Sequence, residues 1–219
     1  MKTFLLLTFF AFTIQLINAQ SVHGKFEISP VDNPEIRMIN DLNDIEMIRF
    51  DVVDSISFGQ CYFVYITEYE KGTIVAVDSL VNRCVLNVPI VLPGGDSALY
   101  KVNMCDYIRR RSGKDYYLML GGQQKDSVLE LAIHYPMQSF QRELRGYKDY
   151  VLRPLNCTGP ESKILEGERK NIVSYAPPVK IASNASSYCL LDSEKPLNWH
   201  EKFKLEHYYV ISVELKKEL

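Results

Sequence analysis

Near its C-terminal end the chain reads "HYYVISVELK", an alternation with a period of two. His207, Tyr209, Ile211, Val213 and Leu215 share one face; Tyr208, Ser212, Glu214 and Lys216 share the other, where Val210 is the one aliphatic residue. Only an extended backbone sends successive side chains to opposite sides, so the run predicts a half-buried strand. "VLELAIHY" repeats the pattern, with Leu129, Leu131, Ile133 and Tyr135 opposite Glu130 and His134. "IRFDVVD" sets Ile48, Phe50 and Val52 together. "GQCYFVYITEYE" begins apolar on both faces, as a central strand covered on both sides would.

Turn residues punctuate these runs. Glu70-Lys71-Gly72 separates two strand patterns and predicts a hairpin in which glycine supplies a positive φ. Pro93-Gly94-Gly95, Arg111-Ser112-Gly113-Lys114 and Gly121-Gly122 read as further turns. Short strands at fairly regular spacing predict a mainly β chain, an antiparallel β-sandwich of immunoglobulin-like or jelly-roll-like type with one or two short helices. One helix is expected in "NPEIRMINDLNDIE", where Asn33 can cap, Pro34 can open the first turn, and Ile36, Ile39, Leu42 and Ile45 recur every third residue. A second is expected in "MQSFQRELRGYKDY", on the spacing of Phe140, Leu144 and Tyr147, with Gly146 as its terminator. Residues 153–198 are rich in Pro, Ser, Asn and Gly and read as long surface loops. The expected organisation is a sandwich over 20–136 and a loop-rich part over 137–219. The final strand makes these one domain if it returns to the first sheet.

The start of the chain has a different character. Lys2 precedes the apolar run "FLLLTFFAF", and Ala19 stands before Gln20. That run is too short to span a bilayer, and its flanks predict a secretory signal over 1–19. The chain is therefore expected to be exported, to the periplasm, the cell envelope or the extracellular space. No cysteine follows directly for a lipid anchor, and no later apolar run reaches transmembrane length. A formal charge of −2 argues against nucleic acid as an electrostatically held partner. The five cysteines, Cys61, Cys84, Cys105, Cys157 and Cys189, include no C-x-x-C pair. Cys157 and Cys189 are candidates for a disulfide, with the connectivity left open by sequence.

Motifs for chemistry are tested by what the chemistry requires. "GGDSALY" starts like a nucleophile box, but G-x-S-x-G needs a second small residue after the serine, and Leu99 stands there. The sequel alternates like a strand, so Ser97 is expected in a turn at a strand's start. "WHEKFKLEH" separates His200 and His207 by seven positions, against the H-E-x-x-H spacing that sets two imidazoles one helical turn apart. His207 lies on the apolar face, where a hydrogen-bonded core histidine is expected. No cofactor motif is present. A basic and aromatic cluster, Tyr107, Arg109, Arg110, Arg111, Lys114, Tyr116 and Tyr117, brackets the predicted 111–114 turn. It reads either as a surface for an anionic glycan or acidic partner, or as a solvated hairpin end.

Asp-Ser followed by an aliphatic residue occurs four times, at Ser55, Ser79, Ser97 and Ser127. This resembles the acceptor motif for protein O-glycosylation of exported proteins in Bacteroidetes. The plainer reading is that Asp and Ser favour turns. The "INAQS" that ends the leader, the "YFVYITEYEKGTIVAVDSL" hairpin and the closing "NWHEKFKLEHYYVISVELKK" resemble a family of exported, β-rich proteins of Bacteroidetes-type bacteria, a domain of unknown function. That resemblance implies a place in the periplasm or envelope and transfers no catalytic residues. The expectation is a non-catalytic binding or structural module of the cell envelope, with a glycan or an envelope protein as partner. The alternative is a hydrolase whose dispersed site leaves no local motif.

Overall fold

The computed structural model describes residues 23–29, 33–52, 60–83, 85–103, 116–135, 138–155, 161–165, 167–182, 185–187 and 189–217. Strands are numbered in chain order. The first sheet runs β11 (Glu161–Leu165), β1 (His23–Ser29), β2 (Ile45–Val52), β7 (Tyr116–Lys125), β8 (Val128–Tyr135) and β9 (Gln138–Arg145). The second runs β10 (Val151–Pro154), β12 (Arg169–Ala176), β15 (His207–Lys217), β3 (Gln60–Glu70) and β4 (Thr73–Arg83). All pairings within both sheets are antiparallel. The fold is the mainly β sandwich that the alternation predicts, with two short helices, α1 (Pro34–Leu42) and α2 (Trp199–Phe203).

The core lies between the sheets. Ile48, Phe50, Leu118, Leu120, Leu129, Leu131 and Ile133 meet Val64, Ile66, Leu80, Ile172, Val173, Ile211, Val213 and Leu215 in one cluster. β2 and β8 present the faces their sequences predict. The second sheet also buries part of its outer face. Tyr208 and Val210 pack there with Tyr69, Leu191, Trp199 and Leu205, because the segment from Cys189 to Leu205 folds back over β15 as two 3-10 turns and α2. β15 is consequently buried on both faces, not half buried. Ser212 is buried, and the buried Glu214 accepts a hydrogen bond from the Tyr65 hydroxyl at 2.8 Å.

The 70–72 hairpin forms as expected. Both turn residues, Lys71 and Gly72, have positive φ, which lets the turn follow the twist of its strands. The 93–95 turn joins β5 (Val85–Val91) to β6 (Ser97–Asn103), a ribbon whose strands pair only with each other. α1 forms with Asn33 as its cap; the side-chain oxygen accepts the amides of Glu35 at 2.8 Å and Ile36 at 3.2 Å.

Three further expectations are corrected. Gly121-Gly122 is no turn. Both glycines lie inside β7, and the chain reverses at Asp126-Ser127, where Asp126 takes φ 53°. Residues 138–145 are strand β9 rather than helix. Phe140, Arg142 and Leu144 face inward, and the Arg142 guanidinium is held by Asp78 of β4, a partner that local spacing does not reveal. Finally, 153–198 is not mainly loop. It supplies β11, β12 and half of β10, together with the ribbon of β13 (Val179–Ala182) and β14 (Ala185–Ser187). β12 sits next to β15, with Ile172 to Ala176 all buried.

Candidate functional site

One end of the sandwich opens into a cleft of about 740 Å³. The cleft is built by the way the chain enters β2. α1 ends at Asn43, whose carbonyl accepts the Gln123 side-chain amide at 2.9 Å. Asp44 at φ 51° then turns the backbone into β2. Asn40, the buried residue of α1, points its amide at the Met47 sulfur, 3.9 Å away. Across the opening stand Tyr150, β10 and Tyr175 of β12.

Two polar groups reach into this cleft from the sandwich interior. Glu46 faces inward between Ile45 and Met47, and its carboxylate accepts the Leu152 amide. Burial pushes its pKa up, against the pull of that hydrogen bond and of the Arg153 charge. The Tyr175 hydroxyl donates to Gln124 and accepts the Tyr147 amide at 3.1 Å; burial raises its pKa, and the Glu46 charge adds to the rise. Tyr150 stacks on Tyr147 with centroids 4.7 Å apart and donates its hydroxyl to the His207 carbonyl at 2.9 Å. Its own pKa is pushed up to about 12, first by burial and then by the neighbouring tyrosines. These phenols are neutral hydrogen-bonding groups at physiological pH, not bases. Gly122 forms part of the cleft's lining. A Cβ there would come within 3.4 Å of both Leu129 and Leu152, so glycine lets the two leucines close beneath the cleft.

Behind the cleft the tyrosines continue to a Glu–His pair. His207 Nε2 lies 2.7 Å from the Glu68 carboxylate, and the Tyr209 hydroxyl donates to the same oxygen at 3.1 Å. The imidazole is enclosed by the rings of Tyr147 and Tyr209, with centroids at 4.7 and 4.9 Å. Its Nδ1 meets no hydrogen-bonding partner, and the side chain is 7% exposed. A histidine acting as general base must face a nucleophile. This one faces a carboxylate on one side and aromatic rings on the others. It is the hydrogen-bonded core histidine expected from its place on the apolar face. His200 is spent elsewhere, with Nδ1 3.0 Å from the Leu205 carbonyl. Among the described residues, no three His, Cys, Asp or Glu side chains gather as metal ligands.

The residues singled out from sequence are dispersed. Ser97 opens β6 after its glycine turn, Ser79 lies on β4, and Ser127 sits in the β7–β8 turn; all three are exposed. Ser55 lies outside the described residues, as do Tyr107, Arg109, Arg110, Arg111, Lys114 and Cys157. Tyr116 begins β7, and Cys189 begins the first 3-10 turn. Tyr117 lies on the outer face of the first sheet, with the Arg49 guanidinium 4.9 Å from its ring centroid. Sequence reasoning missed Glu46, Tyr150 and Tyr175. The one local signal is the aromatic spacing of "GYKDY", which was absorbed by the helix reading.

The fold and the cleft together define an antiparallel β-sandwich with a polar, tyrosine-backed opening at one end. No protein-family model matches the chain, and no curated protein or solved structure matches it.

Proposed function

We propose that this chain is an exported, non-catalytic binding module of the cell envelope that takes a small polar ligand at the α1 end of the sandwich. The observation that carries this is the lining of the cleft. It offers the carboxylates of Asp41, Asp44 and Glu46, the guanidiniums of Arg37, Arg49 and Arg153, two carboxamides and neutral phenols to a ligand but, among the described residues, no serine, cysteine or histidine. Its volume falls in the range of small-molecule sites, and its mixture of apolar walls with a few polar groups suits ligand orientation. Among the described residues, the His207 imidazole that pairs with Glu68 is buried against the rings of Tyr147 and Tyr209. Export rests on the leader-like residues 1–19, and the envelope on the resemblance of the chain's two hairpin and C-terminal motifs to exported proteins.

Thermal unfolding of the mature chain against neutral monosaccharides, amino sugars and amino acids tests this reading. A ligand that binds only the folded state raises the midpoint as its concentration rises. The expected result is such a rise with at least one probe, reduced in Tyr150→Ala. A flat midpoint with every probe contradicts the cleft as a ligand site. A hydrolase with a dispersed site would instead consume its probe, with Glu46 as the carboxyl group whose raised pKa suits an acid.

A further inference from the structure

A second concave surface lies outside this cleft, on the solvent face of the first sheet. The register Met47↔Gly121↔Ala132↔Gln141 forms a row across β2, β7, β8 and β9. The next row toward the cleft is Ile45, Gln123, Glu130 and Glu143; the row on the other side is Arg49, Met119, His134 and Ser139. Gly121 and Ala132, the two smallest side chains, are thus paired at the centre of a ring of larger ones. The result is a groove of about 720 Å³ floored by these two residues.

Gly121 is the informative residue. Glycine inside a strand weakens it and marks a bulge, a bend or a close approach by another molecule. Here β7 keeps its register with both neighbours through Gly121, so there is no bulge. Its φ is not in the left-handed region, and no atom lies within 4 Å of where a Cβ would stand. Gly122 next to it is required by packing; Gly121 is not. What it provides is open space on the groove floor.

We infer that this groove binds an extended, neutral oligosaccharide. β7 and β8, which carry the floor, are paired on both sides along the groove, so the floor offers no free ladder groups to an added peptide strand. Recognition falls to side chains: the amides of Gln123 and Gln141 and the carboxylates of Glu130 and Glu143 line the groove, and the His134 imidazole, which shares a hydrogen bond with Ser139, stands in the adjoining row. These are partners for hydroxyl groups. Met47 and Met119 present soft apolar surface for C–H faces, and beyond them Tyr117 presents a ring 6.0 Å from that of His134. Two carboxylates disfavour an anionic chain, and the nearby cations are already paired, Arg142 of the lining with Asp78 and Lys125 with Glu130 at 2.7 Å. Ile45 and Met47 separate the groove from the cleft and line both. This inference rests on the binding-module reading and adds a separate site to it.

The test is affinity electrophoresis of the mature chain through gels containing starch, galactomannan, xylan or mixed-linkage β-glucan. The wild type is expected to be retarded by at least one of them. Gly121→Val fills the floor without a clash and is expected to weaken that retardation at least about tenfold, with an unchanged circular dichroism spectrum and unfolding midpoint. Tyr150→Ala, in the cleft, is expected to retain it. Retardation by none of the four overturns the inference. So does equal retardation of Gly121→Val and wild type. Loss in Tyr150→Ala alone assigns the glycan to the cleft; it overturns the groove while leaving the binding module standing.

Discussion

Glu46 shows how a single residue is set by its surroundings. Its neighbours on β2 face out, so alternation turns its carboxylate into the end of the core, where burial raises the pKa. A carboxyl group raised in the folded state favours folding most when protonated. That contribution is whole below its ordinary value of 4.5 and is lost as pH rises through the higher folded value. Glu46→Gln, which keeps an acceptor for the Leu152 amide, is therefore expected to be at least as stable as wild type at neutral pH. The difference should vanish below the ordinary value; urea unfolding across pH measures it. Gly146 makes the opposite case to Gly121. A Cβ there would sit 2.8 Å from the backbone nitrogen of Val128, while its amide donates to the Ser127 carbonyl at 2.7 Å. Gly146→Ala is expected to cost about 1–3 kcal/mol in denaturant unfolding. Sequence marks Gly146 as an end of something. It could not separate Gly121 from Gly122, because their difference lies in Leu129 and Leu152, which approach only one of them.

Among the elements, the legible ones were those whose pattern is local. β8 alternates cleanly, the Lys71-Gly72 hairpin carries its own turn chemistry, and α1 announces itself with Asn33 and Pro34. β9 and β12 were hidden for physical reasons. β9 places a charged side chain inward, which is tolerable only because Asp78, distant in sequence, receives it. β12 opens with Arg169, Lys170 and Asn171 before its buried run, and Pro177-Pro178 follow, so composition reads as loop. The double burial of β15 depends on the segment that covers Tyr208 and Val210. Trp199 fastens that segment: it is fully buried, and its indole N–H lies 3.1 Å from the Leu191 carbonyl and 3.0 Å from that of Glu194. Trp199→Ala is expected to destabilise by about 3–5 kcal/mol, followed by circular dichroism in urea. The β5–β6 ribbon should behave otherwise. Val91 and Leu99 stand 80% and 71% exposed, so Val91→Thr and Leu99→Ser are expected to move stability by no more than about 0.5 kcal/mol.

At the scale of the whole molecule, a sandwich was readable because both sheets bury one face against the other, and alternation is the direct signature of that arrangement. The site was not readable. Its parts come from α1, β2, β7, β10 and β12 and meet only through the pairing of sheets, and no short motif encodes such a meeting. The same geometry supports the proposed binding role. The first sheet presents polar side chains in the groove of its outer face and at its open end, while the His207 imidazole is buried in the core. The proposed role is binding without turnover. The most direct measurement is prolonged incubation of the mature chain with a polysaccharide that retards it, followed by assay of newly released reducing ends. A binding module is expected to be retarded with no release above the protein-free control. Release that accumulates with time and disappears in Glu46→Gln would contradict it.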